Sequence, residues 1–434
     1  MAPLSSCGES CTWLEETLER SILGQITGVN GTLVKDAYKY DKSGRLTEAQ
    51  ETPTGGGCTT RAYEFDADSN RTKMQTRAPG IGGACVTTGG TEQKYGYDAA
   101  DRLEGPTYDS WGRITTLPAE FAGGKELKTS YFSTDMVAEQ IQNGVTNAFQ
   151  LDSSLRQRQR VQAGGLEGVE VFHYDNGSDS PAWTQRGSTW TRNIGGIGGE
   201  LSAVQESGSG VTFQLTNLHG DVVATAEPSP TATKLKATFR YDEFGNPVSG
   251  SPGRFAWLGG KQRRTELASG VIQMGRRSYV PALGRFLTPD PIPGGSANAY
   301  DYANQDPVNA FDLGGEKLCV HLEELGGAEV CANRAKGLKR KVEHVIQVTN
   351  RLERKFRRWK AAHPHAKPTE KHGWSPCKVA GVGLDVGGAI ATTVGVGLDA
   401  TGIGAVVGGP LTLIGGATDL AGVGADVAGH EGWC

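Results

Sequence analysis

Tyr38-Lys39-Tyr40-Asp41-Lys42-Ser43-Gly44-Arg45-Leu46 is the stretch on which the fold reading turns. Two aromatics two residues apart point to the same face of a strand, so both bury on one side of a sheet. Asp41 then ends the strand, because its short carboxylate can accept backbone N–H groups of the following turn. Gly or Asn four or five positions on supplies the positive φ such a turn needs, and the Arg after it can reach back to the Asp. The unit returns at Tyr63-Glu64-Phe65-Asp66 with Asn70-Arg71, and at Tyr95-Gly96-Tyr97-Asp98 with Asp101-Arg102-Leu103. Tyr108-Asp109 with Gly112-Arg113-Ile114 is shorter, and Phe149-Gln150-Leu151-Asp152 with Leu155-Arg156 is looser. Phe172-His173-Tyr174-Asp175 and Phe239-Arg240-Tyr241-Asp242 with Gly245-Asn246 complete the set.

One such hairpin cannot bury its own apolar face, so consecutive copies must stack. Their spacing is irregular, which suits a long winding antiparallel sheet better than a solenoid of equal rungs. Strands lacking the signature fill the gaps, as in Val211–Thr225 with a turn at His219-Gly220-Asp221. Composition agrees: 434 residues hold 63 Gly, 37% hydrophobic and 7% aromatic residues, the profile of turn-rich β-structure. The glycines follow no three-residue period, which excludes collagen.

These units resemble the YD repeats of RHS proteins, of the teneurins and of the C components of bacterial Tc toxin complexes. Two further blocks resemble the RHS-associated core. One is Arg276-Arg277-Ser278-Tyr279-Val280-Pro281-Ala282-Leu283-Gly284-Arg285-Phe286-Leu287-Thr288-Pro289-Asp290-Pro291. The other is Asn298-Ala299-Tyr300-Asp301-Tyr302-Ala303-Asn304-Gln305-Asp306-Pro307-Val308-Asn309, ending at Phe311-Asp312-Leu313-Gly314-Gly315. The resemblance covers about two-thirds of the chain and divides it into a lead-in (1–19), a repeat shell (20–275), a core (276–315) and a variable C-terminal region (316–434). It implies a mainly β protein whose spiralling shell encloses its own C-terminal segment, commonly a toxin matched by an immunity protein.

In many relatives the core ends in Pro-x-x-x-x-Asp-Pro-x-Gly-Leu and cuts itself after the Leu by aspartyl autoproteolysis. Here Pro307, Asp312 and Gly315 keep the spacing, while Leu313 replaces the Pro and Glu316 the Leu. The resemblance makes Asp290 and Asp312 the acid/base carboxylates, with Arg285 holding one of them ionised, and places the cleavage region at Leu313, Gly314, Gly315 and Glu316. Paired carboxylates can activate water when burial and mutual charge push their pKa values apart. The structural alternative is an Arg285–Asp290 ion pair closing the shell and Asp312 capping a strand end. The repeat positions Tyr40, Asp41, Asp66, Tyr97, Asp98, Tyr174, Asp175, Tyr241 and Asp242 are expected to be structural.

Beyond the core, Cys319 and Cys331 bracket a stretch that reads as a disulfide-closed hairpin. Residues 333–360 read as a basic amphipathic helix, with Val342, Val345, Ile346, Leu352, Phe356 and Trp359 at three- and four-residue steps. Residues 1–332 carry 30 Lys+Arg against 40 Asp+Glu, while 333–372 carry 13 against 3. That split argues against nucleic-acid binding along the whole chain and leaves it open for this segment, as it does binding to an anionic membrane or an acidic shell. Residues 379–429 have no Lys or Arg and 15 Gly, and read as Gly/Ala-rich apolar helices with Gly404-x-x-x-Gly408 spacing. The effector so read is membrane-active. A nuclease centred on 333–377 and a cell-surface adhesion or carbohydrate-binding module are the alternatives.

Eight widely spaced cysteines suit disulfides in an oxidising compartment better than a zinc site. His363, His365, His372 and Cys377 match no ligand pattern, so no metal and no cofactor is expected. The first 20 residues show no apolar run behind a basic start, hence no classical signal peptide. A secreted or cell-envelope, membrane-associated protein is the expectation, with the chain a piece of a longer precursor. No GxSxG, Walker or HExxH motif occurs.

Overall fold

The computed structural model describes residues 13–316, apart from 165–167, 197–198, 230–231, 233 and 293–295. Beyond 316 it describes the strands Leu318–Leu322, Ala328–Ala332, Val396–Leu398 and Gly404–Val406. Residues up to Glu316 form one compact unit and most of those after it a second.

In the first unit, strands pair antiparallel with their sequence neighbours. Seven strands from Glu16–Arg20 to Thr91–Lys94 form one meander, and thirteen from Thr107–Tyr108 to Ala237–Thr238 form another. The sheet is therefore divided where a single winding one was expected. Between the two meanders, among the described residues, the pairing is reduced to the isolated bridge Tyr97–Leu103.

The repeat chemistry explains the meander. Oδ1 of Asp41, Asp66, Asp98, Asp109, Asp152 and Asp242 accepts the N–H groups two and four residues on, at 2.8–3.0 Å. Oδ2 accepts the side chain of that fourth residue, Arg45, Arg102, Arg113 and Arg156 by Nε and Asn70 and Asn246 by Nδ2. The positive φ falls at the third residue after the Asp, nearer than the spacing suggested. Gly44, Gly112 and Gly245 take it, but so do Ser69, Asp101 and Leu155.

Each unit also grips its neighbours. The hydroxyls of Tyr40, Tyr97 and Tyr241 donate to carbonyls of Ile26, Arg71 and Val222. The guanidinium of Arg45 lies 5.0 Å from the ring of Phe65, and that of Arg156 4.2 Å from Tyr174. Ser21 builds the same turn through its Oγ, a copy that the aromatic signature does not reveal. At Tyr174-Asp175 the turn is absent: a longer bend leads to Ala182, whose N–H donates to the His173 carbonyl. The strand pair expected in 211–225 is present as Gly210–Thr216 and Val222–Ala226.

The segment from Phe239 to Asp312 packs on the buried faces of both meanders. Phe244 joins Leu46 and Tyr63. Val271, Val280, Leu283 and Leu287 join Ile114, Leu117 and Leu127. Its polar groups meet inward-facing charges. Arg61 donates to Glu51 and Glu243, and Glu170 and Glu266 are paired with Arg160 and Arg254. Cys58 and Cys85 form a disulfide.

In the second unit, Leu318–Leu322 and Ala328–Ala332 form the expected hairpin, with Cys319 opposite Cys331. Cys319 is disulfide-bonded. Val396–Leu398 and Gly404–Val406 pair antiparallel, and the rest of 379–429, expected as apolar helices, lies outside the described residues. The basic helix expected at 333–360 lies outside the described residues, as do the histidines and Cys377.

Candidate active site at the end of the shell

Four short strands, Arg264–Thr265, Ile272–Met274, Arg277–Val280 and Arg285–Phe286, carry the candidate residues. Arg277 and Tyr279 lie two apart on one strand and both point inward. Around them Tyr279, Tyr302 and Phe286 form an aromatic cluster, with Tyr279 and Tyr302 4.5 Å apart by ring centres and Trp257 5.4 Å from Tyr279.

Asp290 and Asp312 meet on Arg277. Its Nη2 donates to Oδ2 of Asp290 at 3.1 Å and to Oδ2 of Asp312 at 3.0 Å. All three side chains are buried, with 2–6% exposure. The guanidinium lies 3.7 Å over the Phe286 ring. Asp290 also accepts the Ile292 N–H and the Ser296 hydroxyl. Asp312 Oδ1 accepts the Glu316 N–H at 3.0 Å, and the Asp312 N–H donates to the Tyr302 hydroxyl at 3.3 Å.

Arg285 is elsewhere. It donates to Asn70 Oδ1 at 3.1 Å and to the Asp101 carbonyl, and stacks near Tyr97 and Tyr300. The expected Arg285–Asp290 pair is therefore not formed. Strand pairing explains why: Arg285 stands opposite Val280 and bridges to Asp301, which carries its side chain towards the repeat turns.

Leu313–Glu316, the stretch the family resemblance would make the cleavage region, lies against the Met274–Arg277 turn. The Leu313 carbonyl accepts Arg263 Nη1 at 2.7 Å, and Arg263 is held in turn by both oxygens of Asp179. The Gly314 carbonyl accepts the Arg276 N–H at 2.9 Å, and Arg276 Nε pairs with Glu316 at 2.9 Å. Gly275 and Gly315 make this approach feasible. Both have positive φ, and a Cβ on Gly275 would stand 2.6 Å from the Gly314 oxygen, one on Gly315 2.8 Å from the Met274 oxygen.

Sequence reasoning missed Arg277 and Asp301. Asp301 is fully buried, and its Oδ2 has no partner. Burial pushes its carboxyl up to about 6, against the opposing pull of Arg285 and Arg277. Alternation around Tyr279 was the available signal for Arg277. None marked Asp301, which only the bridge to Arg285 brings inside. Among the described residues no group of His, Cys, Asp and Glu is arranged to hold a metal ion.

No family model matches the chain. A tRNA3(Ser)-specific nuclease WapA of Bacillus spizizenii is 30% identical over 131 residues, 28% of this chain and 5% of that protein. The tRNA nuclease WapA of Bacillus subtilis strain 168 is 30% identical over 114 residues, 24% of this chain and 5% of its own length. The chain thus spans a small fraction of these relatives. Among solved structures, the TcdB2–TccC3–Cdc42 crystal structure aligns over 70% of this chain and 17% of its own, with TM-score 0.54 and 14% identity. TcdB2–TccC3 without its hypervariable C-terminal region covers 71% at TM-score 0.54 and 15% identity. At this identity the likeness is one of fold, and the repeat unit described here has the β-architecture of those TccC3-containing chains.

Proposed function

We propose that this chain is the closing end of a β-shell that carries its C-terminal region as cargo, cuts the bond after Glu316, and releases an effector acting on RNA. One observation supports the cutting step above the rest: two buried carboxylates share a single guanidinium nitrogen at the end of the first unit. Two carboxyl groups brought this close can divide the work of an aspartyl cut, one acting as base and the other as acid. The base takes a proton from water, whose oxygen adds to the Glu316 carbonyl carbon. The acid gives its proton to the departing Lys317 nitrogen. The C–N bond breaks, leaving a new carboxyl and a new amine. Arg277, in place of Arg285, is the cation that holds the two carboxylates together.

The RNA reading rests on the names of the WapA relatives and on the net +10 of residues 333–372, a charge that favours phosphate contacts. It replaces the membrane-active reading as the better supported one. Among the described residues no helix is long and apolar enough to cross a membrane. The disulfides suit an oxidising location outside the cytosol.

Intact mass measurement on the purified chain tests the cutting step. Two fragments meeting at Glu316–Lys317, fused back into one mass by Asp290→Asn and by Asp312→Asn, are expected. A single mass for the unaltered chain overturns it. Incubating the released fragment with total tRNA and, separately, with dye-loaded anionic liposomes tests the effector. Leakage without RNA cleavage returns the reading to a membrane target.

A further inference from the structure

The junction keeps part of the repeat turn and departs from it in two ways. Its fourth residue is different, and the Asp312 N–H donates to the Tyr302 hydroxyl where each repeat Asp N–H donates to the carbonyl of the fourth residue. Phe311-Asp312 ends a strand, Gly315 holds the positive φ at the third position, and Oδ1 accepts the N–H of the fourth residue. The turns at Asp41, Asp66, Asp98, Asp109, Asp152 and Asp242 do the same. In all six, however, the fourth residue is Arg or Asn, and its side chain takes Oδ2 of the turn's own Asp. At the junction that residue is Glu316, whose carboxylate has no hydrogen to donate at neutral pH. Oδ2 of Asp312 is therefore left for Arg277 and, through it, for Asp290. Glu316 is in turn drawn to Arg276, which also donates its backbone N–H to the Gly314 carbonyl.

We infer that Glu316 is a positioning residue: it is the absence of a donor at this position that frees Asp312 from its own turn and delivers it to the carboxylate pair. A donor there would offer Oδ2 of Asp312 the side-chain partner that the repeat turns use, pull it away from Arg277, and convert a reactive carboxylate into a structural one. This inference rests on the self-cleavage reading above and adds to it the rule that selects residue 316. Arg276 has the secondary role of keeping the charged side chain clear. That pair is partly exposed, at 40% and 29%, so water and salt weaken it and it is the lesser contributor.

The experiment compares first-order self-cleavage of the full chain, followed by intact mass, for the unaltered protein, Glu316→Arg, Glu316→Asn and Glu316→Leu, with a thermal melt of each. Glu316→Arg and Glu316→Asn are expected to slow cleavage at least a hundredfold without lowering the melting temperature, since each supplies the donor that the repeat turns carry at this position. Glu316→Leu, which also cannot donate, is expected to cleave within about tenfold of the unaltered rate. Slow cleavage of the Leu variant would mean that the carboxylate itself is recognised, overturning the inference. Undiminished cleavage of the Arg and Asn variants would overturn it too, while leaving the self-cleavage reading intact. An unaltered chain that stays whole overturns both.

Discussion

Three aspartates of the repeat turns and two of the core segment behave in opposite ways, and the turn aspartate Asp242, buried beside Glu243, sides with the second group and is pushed up to about 6. Asp41, Asp109 and Asp152 are held below the usual carboxylate range. Burial opposes this, but hydrogen bonds from the turn's own backbone and Arg outweigh it. In the core segment, burial instead pushes Asp301 up to about 6 and Asp306 to about 7. Five consecutive residues complete the environment of the first group. The second group is enclosed by other residues of the core segment, Asn298, Arg285 and Arg277 about Asp301 and Asn309 about Asp306, and there burial outweighs the groups that pull the other way. The lesson is that the repeats are locally self-sufficient, whereas the core segment takes its chemistry from what encloses it.

The contrast can be broken most severely at the buried charges joining the two regions. Arg61 donates to Glu243 through Nε at 3.0 Å and to Glu51 through Nη2 at 2.8 Å. Arg61→Met leaves Glu243 without this cation in a site where its side chain is 3% exposed. A loss of about 3–5 kcal/mol is expected in urea unfolding. A loss below about 1 kcal/mol would mean that water reaches this interior.

The titration signs sharpen the contrast. The folded chain keeps the Asp301 proton up to about pH 6, while the unfolded chain releases it near the model-peptide value of 3.8. Because the folded state binds more protons in that window, this group's contribution to stability falls as pH rises from about 4 to 6, by about 3 kcal/mol in total. Asp301→Asn should remove that fall, and stability measured across pH 4–7 checks it. Asp152→Asn should do the reverse. It removes stability that is present above the unfolded carboxyl's pKa and lost on acidification, so the variant and the unaltered chain should converge at low pH. Matching slopes in the two variants would erase the distinction between the regions.

The smallest effect belongs to a single repeat turn. Leu155 holds φ +61° where other copies have Gly. Leu155→Gly should stabilise by about 1 kcal/mol through relief of left-handed strain, read as an upward shift of the thermal midpoint. A destabilised variant would show that the Leu side chain contributes more packing than its backbone costs.

The sequence by itself determined the repeat sheets. Aromatic pairs, the Asp at strand ends and the returning Arg are local signals, and at Asp41, Asp66, Asp98, Asp109, Asp152 and Asp242 they became the expected turns. At Asp175, where the fourth residue is Asp179 and no returning Arg or Asn follows, the turn did not form. The two carboxylates of the candidate site were also legible, because Asp290 and Asp312 stand in recognisable blocks. Which arginine serves them was decided only by the tertiary structure. Arg277 and Arg285 are both inward-facing on adjacent strands, and sequence spacing does not distinguish them. Strand register sends Arg285 to the repeat turns at Asn70 and Asp101 and leaves Arg277 between the carboxylates. Register is set by packing across the whole sheet, so a change of partner over a few ångströms reassigns a charge while leaving every local signal unchanged.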